Sequence, residues 1–258
     1  MKTNEYYDFH THLDQYPQKK LAQQLKNFSG TIVSASMNER SFEKTEKLAS
    51  DKNYTKNYTI FPTFGVHPKY AKIAAKKIKQ NPHCYDKYLE KSKIIGEIGM
   101  DFCWYNQASK AEQEIVFRYF LSHCDSEKKY CVIHTKGAEK EICDILAEYP
   151  NAKPIIHWYD GSEDIFEIFV KRQYPQTFGV ETCRSEKIQS FLRSIPKELI
   201  LAETDNPESE IWLGGKDNSI FLIEKVYSDI ASVLRIEKEQ AARIINENSK
   251  KILTAAFS

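Results

Sequence analysis

Short runs of β-branched, aliphatic and aromatic residues alternate along this chain with longer stretches that place apolar side chains three and four positions apart. That alternation predicts parallel strands joined by crossover helices. Eight short runs read as strands: Tyr6 to His12, Thr31 to Ala35, Thr59 to Val66, Ile94 to Met100, Tyr130 to His134, Pro154 to His157, Thr177 to Val180 and Leu199 to Glu203. Each is followed by a helical pattern, clearest over Lys19 to Asn27, Glu39 to Ser50, Lys110 to Lys128, Ala138 to Glu148, Glu163 to Arg172 and Glu186 to Arg193. Two more helices, Asn218 to Leu234 and Glu237 to Asn246, follow the last strand and are expected to cover the barrel. Eight strand–helix units are the repeat of a (β/α)8 TIM barrel.

Length agrees, because 258 residues with 41% apolar composition suit one large core better than two, so residues 1–258 are expected to form a single domain. The 37 basic and 36 acidic side chains nearly cancel, which excludes a global positive field holding long nucleic acid; any phosphate must be bound locally. Lysine-rich pieces such as Ala75 to Lys79 and Glu127 to Lys129 read as solvated outer helix faces. Six cysteines with no CxxC pair imply reduced thiols, and the polar start and absence of a long apolar run imply a soluble, cytoplasmic protein without membrane contact.

Polar residues that break the strand ends carry the candidate chemistry. His10 and His12, two apart on a strand, point to the same side, where they could share a metal or serve as hydrogen-bonded structural histidines. His134 and His157 each stop an apolar run at the ends of the fifth and sixth strands. This repeated placement at the functional end of a barrel favours metal ligation. Glu97 lies inside a strand between two glycines, and burying it unpaired would cost several kcal/mol, so it needs cations or a partner. Asp205 follows the eighth strand as a second carboxylate able to bind a metal and take a proton from water. Glu203 reads as a hydrogen-bond acceptor behind the ligands, and His67 as a contact for substrate phosphate.

Read in order, DFHTHLD at 8–14, GVHP at 65–68, GEIGMD at 96–101, VIHTKG at 132–137, IIHWYDGS at 155–162 and AETDNP at 202–207 resemble the motifs of the TatD family of metal-dependent deoxyribonucleases. The resemblance spans almost the whole chain. It implies an amidohydrolase-like barrel with two divalent ions, zinc, manganese or magnesium. By the same resemblance His10, His12 and Asp205 bind the first ion, His134 and His157 the second, and Glu97 bridges them. Glu97 and Asp205 are then the catalytic pair for phosphodiester hydrolysis, with Asp205 taking the water's proton.

Substrate contacts are expected from His67, Lys136, Trp104, Tyr105, Trp158 and Tyr159, the aromatics by stacking on bases, with Glu181 and Arg184 as weaker candidates. The chain departs from the family around the ligands. Lys136 stands where an arginine is common, His157-Trp158-Tyr159-Asp160-Gly161 replaces HCFSG, and the stretch after Pro207 lacks the usual RGxxN. The seventh unit, Phe178 to Ile188, together with Asp205-Asn206-Pro207, resembles the TatD-like member of the Qat anti-phage defence systems, which implies defence-system protein partners. The substrate expected is DNA, single-stranded or trimmed from its ends. Two alternatives remain: hydrolysis of a small cyclic amide, lactone or nucleobase on the same metals, and a defence subunit latent until assembly.

Overall fold

The computed structural model describes residues 5–51, 57–207, 209, 214 and 219–258. The chain folds as a TIM-type (β/α)8 barrel. Its elements are β1 (Tyr6–Thr11), α1 (Gln18–Leu25), β2 (Gly30–Ser34), α2 (Glu39–Ser50), β3 (Tyr58–Pro62), α3 (Ala71–Gln80), α4 (Asp86–Leu89), β4 (Ile94–Asp101) and α5 (Lys110–Glu127). There follow β5 (Tyr130–Lys136), α6 (Glu139–Leu146), β6 (Lys153–His157), α7 (Glu163–Lys171), β7 (Gln176–Phe178), α8 (Glu186–Ser194), β8 (Ile200–Ala202), α9 (Leu222–Leu234) and α10 (Lys238–Phe257).

All ladders are parallel and run in chain order, β1 to β3 in one sheet and β4 to β8 in the other. Hydrogen bonds join the sheets at both seams. At one, Phe64 bridges Ile95 and the Gly96 amide donates to the Phe64 carbonyl at 2.8 Å. At the other, the Asp205 amide donates to the His10 carbonyl at 2.9 Å and the His12 amide to the Asn206 carbonyl at 2.8 Å. The buried Asp8 carboxylate reinforces this second seam by accepting from the Thr204 amide (3.0 Å) and hydroxyl (2.6 Å).

Two apolar cores follow from strand alternation. Phe9, Val33, Ile94, Val132, Ile155 and Leu201, one from each of six strands, pack together as the barrel interior, with Ile252 and Leu253 of α10 against them. A larger cluster lies between strands and helices, including Ile32, Ile98, Ile133 and Ile156 from the strands and Phe117, Phe169 and Ile230 from the helices. Helix ends are set locally: Asn38 with Ser41 forms a capping box at α2, and Ser109 with Glu112 another at α5. The lysine-rich piece at 75–79 lies on α3, with Ala75 and Ile78 buried and Lys76 and Lys79 exposed, as a solvated face should.

Several boundaries differ from the sequence pattern. The third strand stops at Pro62 instead of Val66; beyond it the Thr63 amide still donates to the Ser34 carbonyl at 3.0 Å and Phe64 bridges Ile95. There the chain runs so close to β4 that a Cβ on Gly65 would lie 2.4 Å from the Glu97 carbonyl oxygen. The seventh and eighth strands are three residues each. The last helix continues past Asn246 to Phe257, because Ile252 and Leu253 find the barrel interior to pack on. The start of the helix expected from Asn218 lies outside the described residues, as does most of the stretch after Pro207; α9 begins at Leu222. No helix among the described residues is long and apolar enough to cross a membrane.

Leu253→Ala should therefore open a cavity under the barrel and cost about 2–4 kcal/mol in urea unfolding. A loss below roughly 0.5 kcal/mol would mean that α10 does not close the core.

Candidate metal centre

Two β-bulges aim the site. Between its pairings Asp8–Ile32 and Thr11–Ser34, β1 carries two residues against one on β2, so the alternation that turns Phe9 into the barrel is rephased before His10 and His12. In β4 the same extra residue lies between Ile95–Cys131 and Ile98–Ile133, which places Glu97 rather than Gly96 toward the axis. Gly99 permits the close approach of β5: a Cβ there would lie 2.1 Å from the His134 carbonyl oxygen.

Four side-chain atoms converge on one point. His10 Nε2 lies 3.4 Å from His12 Nε2, 3.6 Å from Glu97 Oε2 and 3.5 Å from Asp205 Oδ1. His12 Nε2 is 3.5 Å from the same Glu97 oxygen and 3.2 Å from the same Asp205 oxygen. Ligands set tetrahedrally about 2.1 Å from a cation stand about 3.4 Å apart, so these separations are those of a coordination shell. Glu97 Oε2 and Asp205 Oδ1 are also buried without a hydrogen-bond partner, the mark of donors shaped for something other than protein.

A second group surrounds the other Glu97 oxygen. Oε1 is 2.7 Å from His134 Nδ1 and 3.7 Å from His157 Nε2. Behind the imidazoles stand acceptors: the Ala35 carbonyl at 3.2 Å from His12 Nδ1, Asp101 Oδ2 at 2.9 Å from His134 Nε2, and Glu203 Oε2 at 2.7 Å from His157 Nδ1. When each outer nitrogen donates its proton outward, His12 Nε2, His134 Nδ1 and His157 Nε2 turn lone pairs toward the centre. The buried clusters are thus able to hold metal.

Charge follows from this packing. Burial works against protonation of His12, but the Asp205 carboxylate 3.2 Å away and the charge of Glu97 outweigh it and raise the imidazole to about 9. His134 is likewise raised to about 9 against burial by Asp101 and Glu97. Burial would neutralise Glu97 and Asp205, yet the surrounding imidazoles hold both below the usual carboxylate range. Burial drives His157 well below its ordinary value and pushes Glu203 up to about 8.

His67 Nε2 also lies 3.6 Å from Glu97 Oε1, and with His134 the three could hold an ion. Its tautomer argues otherwise. His67 Nδ1 accepts from the Lys69 amide at 3.1 Å, and burial drives the ring down to about 3. The neutral ring therefore carries its proton on Nε2, as a donor facing the cleft.

His67, Trp104, Tyr105, Lys136 and Trp158 all line the cleft above the cluster. Tyr159 is a correction. It is buried at 4% exposure, its ring packs with Phe166, Phe169 and Phe191, and its hydroxyl donates to the Ser162 carbonyl, so it cannot stack on a substrate. Glu181 is buried beside Gly179, whose amide it accepts at 3.1 Å, and is not a cleft-lining residue.

Asp101 is the functional residue missed in the sequence. Its Oδ1 accepts the Cys103 and Trp104 amides at 2.8 and 2.7 Å, and Gln113 clamps its backbone on both sides, accepting from its amide at 2.7 Å and donating to its carbonyl at 2.9 Å. The carboxylate is thereby aimed at His134. The only signal was its place at the end of GEIGMD.

A family model described as TatD related DNase matches residues 7–254. The chain is 28% identical over 196 residues to an uncharacterized metal-dependent hydrolase of Methanocaldococcus jannaschii, covering 76% of each. It is 29% identical over 154 residues to a human 3'-5' RNA nuclease, covering 57% of this chain and 20% of that one. A solved TatD family hydrolase from Entamoeba histolytica superposes with a TM-score of 0.82 at 17% identity, covering 98% of this chain and 99% of that one, which is a likeness of fold.

Two outcomes follow for the centre. Metal uptake must expel protons held on His12 and His134 up to about pH 9, so apparent affinity should climb from pH 6 to 9 and then level. Competition with a chelating dye reads this, and a flat profile would contradict it. In Asp101→Asn, Oδ1 must remain the oxygen that receives the backbone amides, so the new NH2 faces His134 and drives that ring's proton onto the inner nitrogen. Metal affinity should fall about 10–100-fold; unchanged affinity would remove Asp101 from its positioning role.

Proposed function

The chain belongs to the TatD-related DNase family, and from that premise we propose that it is a two-metal phosphodiesterase acting on DNA, single-stranded or at strand ends, with residues 1–258 working as one domain. The observation that supports this best is Glu97, which turns one oxygen to His10 and His12 and the other to His134 and His157. In this reading His10, His12, Glu97 and Asp205 hold the first ion, and Glu97, His134 and His157 the second. When bound, two divalent ions, zinc, manganese or magnesium, supply Lewis acidity and bring the acidity of water toward neutral pH.

The chain's own residues then divide the work. Asp205, ionised because its histidine neighbours outweigh burial, receives the proton of the attacking water. His67 donates its Nε2–H to a non-bridging phosphate oxygen without adding charge. Lys136 directs Nζ to the Trp158 carbonyl at 2.8 Å and Asp160 Oδ1 at 3.0 Å, which fixes Trp158 as a wall of the cleft and leaves its third proton for phosphate. Trp104, Tyr105 and Trp158 stack on bases, each stacked base worth about 1–3 kcal/mol. Unpaired bases suit these rings, and a net charge of +1 offers no broad field for a duplex backbone.

Six free thiols support a cytoplasmic setting. The resemblance of the seventh unit to the Qat-associated relative supports a place in an anti-phage defence assembly with partner subunits.

The test is end-labelled single-stranded DNA incubated with the manganese-loaded protein. Cleavage should cease with chelator and fall about 10²–10⁴-fold in Asp205→Asn. Equal cleavage by wild type and Asp205→Asn would refute the assignment. Cleavage of RNA oligonucleotides with DNA left intact would move the substrate to RNA.

A further inference from the structure

The cleft is lined by two lysines whose surroundings differ. Lys136 is buried, with its ammonium on the Trp158 carbonyl and Asp160, while Asp160 in turn accepts Lys187 at its carbonyl. That charge is largely compensated and serves the loop after β6. Lys69, on the His67 side, is exposed at the rim and lines the same cleft. Among the described residues it has no carboxylate within ion-pair distance; its Nζ lies over the rings of Tyr105 at 5.5 Å and Tyr70 at 6.0 Å.

Two contacts tie Lys69 to His67. The Lys69 amide holds His67 Nδ1, and the Tyr105 ring under the ammonium stands edge-on to the His67 ring at 5.0 Å between centres. Tyr105 thus touches both the His67 ring and the Lys69 ammonium, which sets that ammonium on the side of the cleft where His67 presents its donor. Among the described residues no carboxylate neutralises that charge, whereas the other lysine of the cleft, Lys136, is paired with Asp160.

We infer that Lys69 seats a second phosphate, the one adjoining the scissile phosphate along the strand, so that the cleft selects a chain of phosphodiesters over an isolated phosphate ester. This rests on the phosphodiesterase reading. Lys69 is then a specificity residue: it adds affinity only where a neighbouring phosphate exists. Tyr105 beneath it holds the ammonium at the rim by cation–π attraction when the site is empty.

Two substrates separate the roles. Bis(p-nitrophenyl) phosphate carries one phosphodiester and no neighbour, whereas a short single-stranded oligonucleotide carries both. With manganese-loaded enzyme, Lys69→Gln should lower kcat/KM for the oligonucleotide about tenfold more than for bis(p-nitrophenyl) phosphate, chiefly through KM. The slope of log kcat/KM against log salt for the oligonucleotide should become shallower by about 0.7, one phosphate contact on a single strand. Lys69→Arg should restore most of both, and Lys76→Gln, on the outer face of α3, should leave both substrates as in wild type. Equal losses on the two substrates, or an unaltered salt slope, would overturn the assignment of Lys69. Turnover of neither substrate by the wild type would instead bring down the phosphodiesterase reading, and this inference with it.

Discussion

Glu97 is a carboxylate sealed inside a barrel at 1% exposure, and an anion there survives only if opposite charge or hydrogen bonds surround it. Four imidazoles from three strand ends stand around it, and their outer nitrogens, where partnered, meet a carbonyl or a further carboxylate. The arrangement is a set of concentric layers in which His12, His134 and His157 are each satisfied from outside and leave an inner nitrogen facing the centre. Asp101 and Glu203 belong to that outer layer; removing either changes the direction in which a histidine presents its lone pair.

The fold serves this by being rigid where the site is built and variable above it. Ladders and seams fix the strand ends, and the interior core packed beneath them, closed by α10, leaves the site one open side. In this chain the rim carries a neutral donor in His67, a compensated ammonium in Lys136 and an uncompensated one in Lys69, between exposed and half-exposed aromatic rings.

Much of this clustering was legible in the sequence because the candidate ligands stop apolar runs. His134 and His157 each end a strand, and their pairing in register, His134 opposite His157, repeats that in space. His10 and His12 lie on one side as their spacing implied, but the bulge that turns them toward the axis left no pattern in hydropathy. The same holds for Glu97, where strict alternation would have directed Gly96 inward. Tyr159 was misplaced for a related reason. It follows Trp158, which adopts a left-handed φ of +37°, and the chain then turns the tyrosine ring into the aromatic core under α7 and α8. Backbone turns of this kind depend on tertiary contacts that residue spacing does not encode. Asp101 was quoted within a motif yet had no role until Gln113, twelve residues on, proved to clamp it.

The central claim is that these inner atoms are a coordination shell shared through one carboxylate. Crystals grown with manganese and measured at its absorption edge test it directly. The account predicts two anomalous peaks, one among His10, His12, Glu97 and Asp205 and the other among Glu97, His134 and His157. Well-occupied ions elsewhere, with Glu97 touching neither, would contradict it.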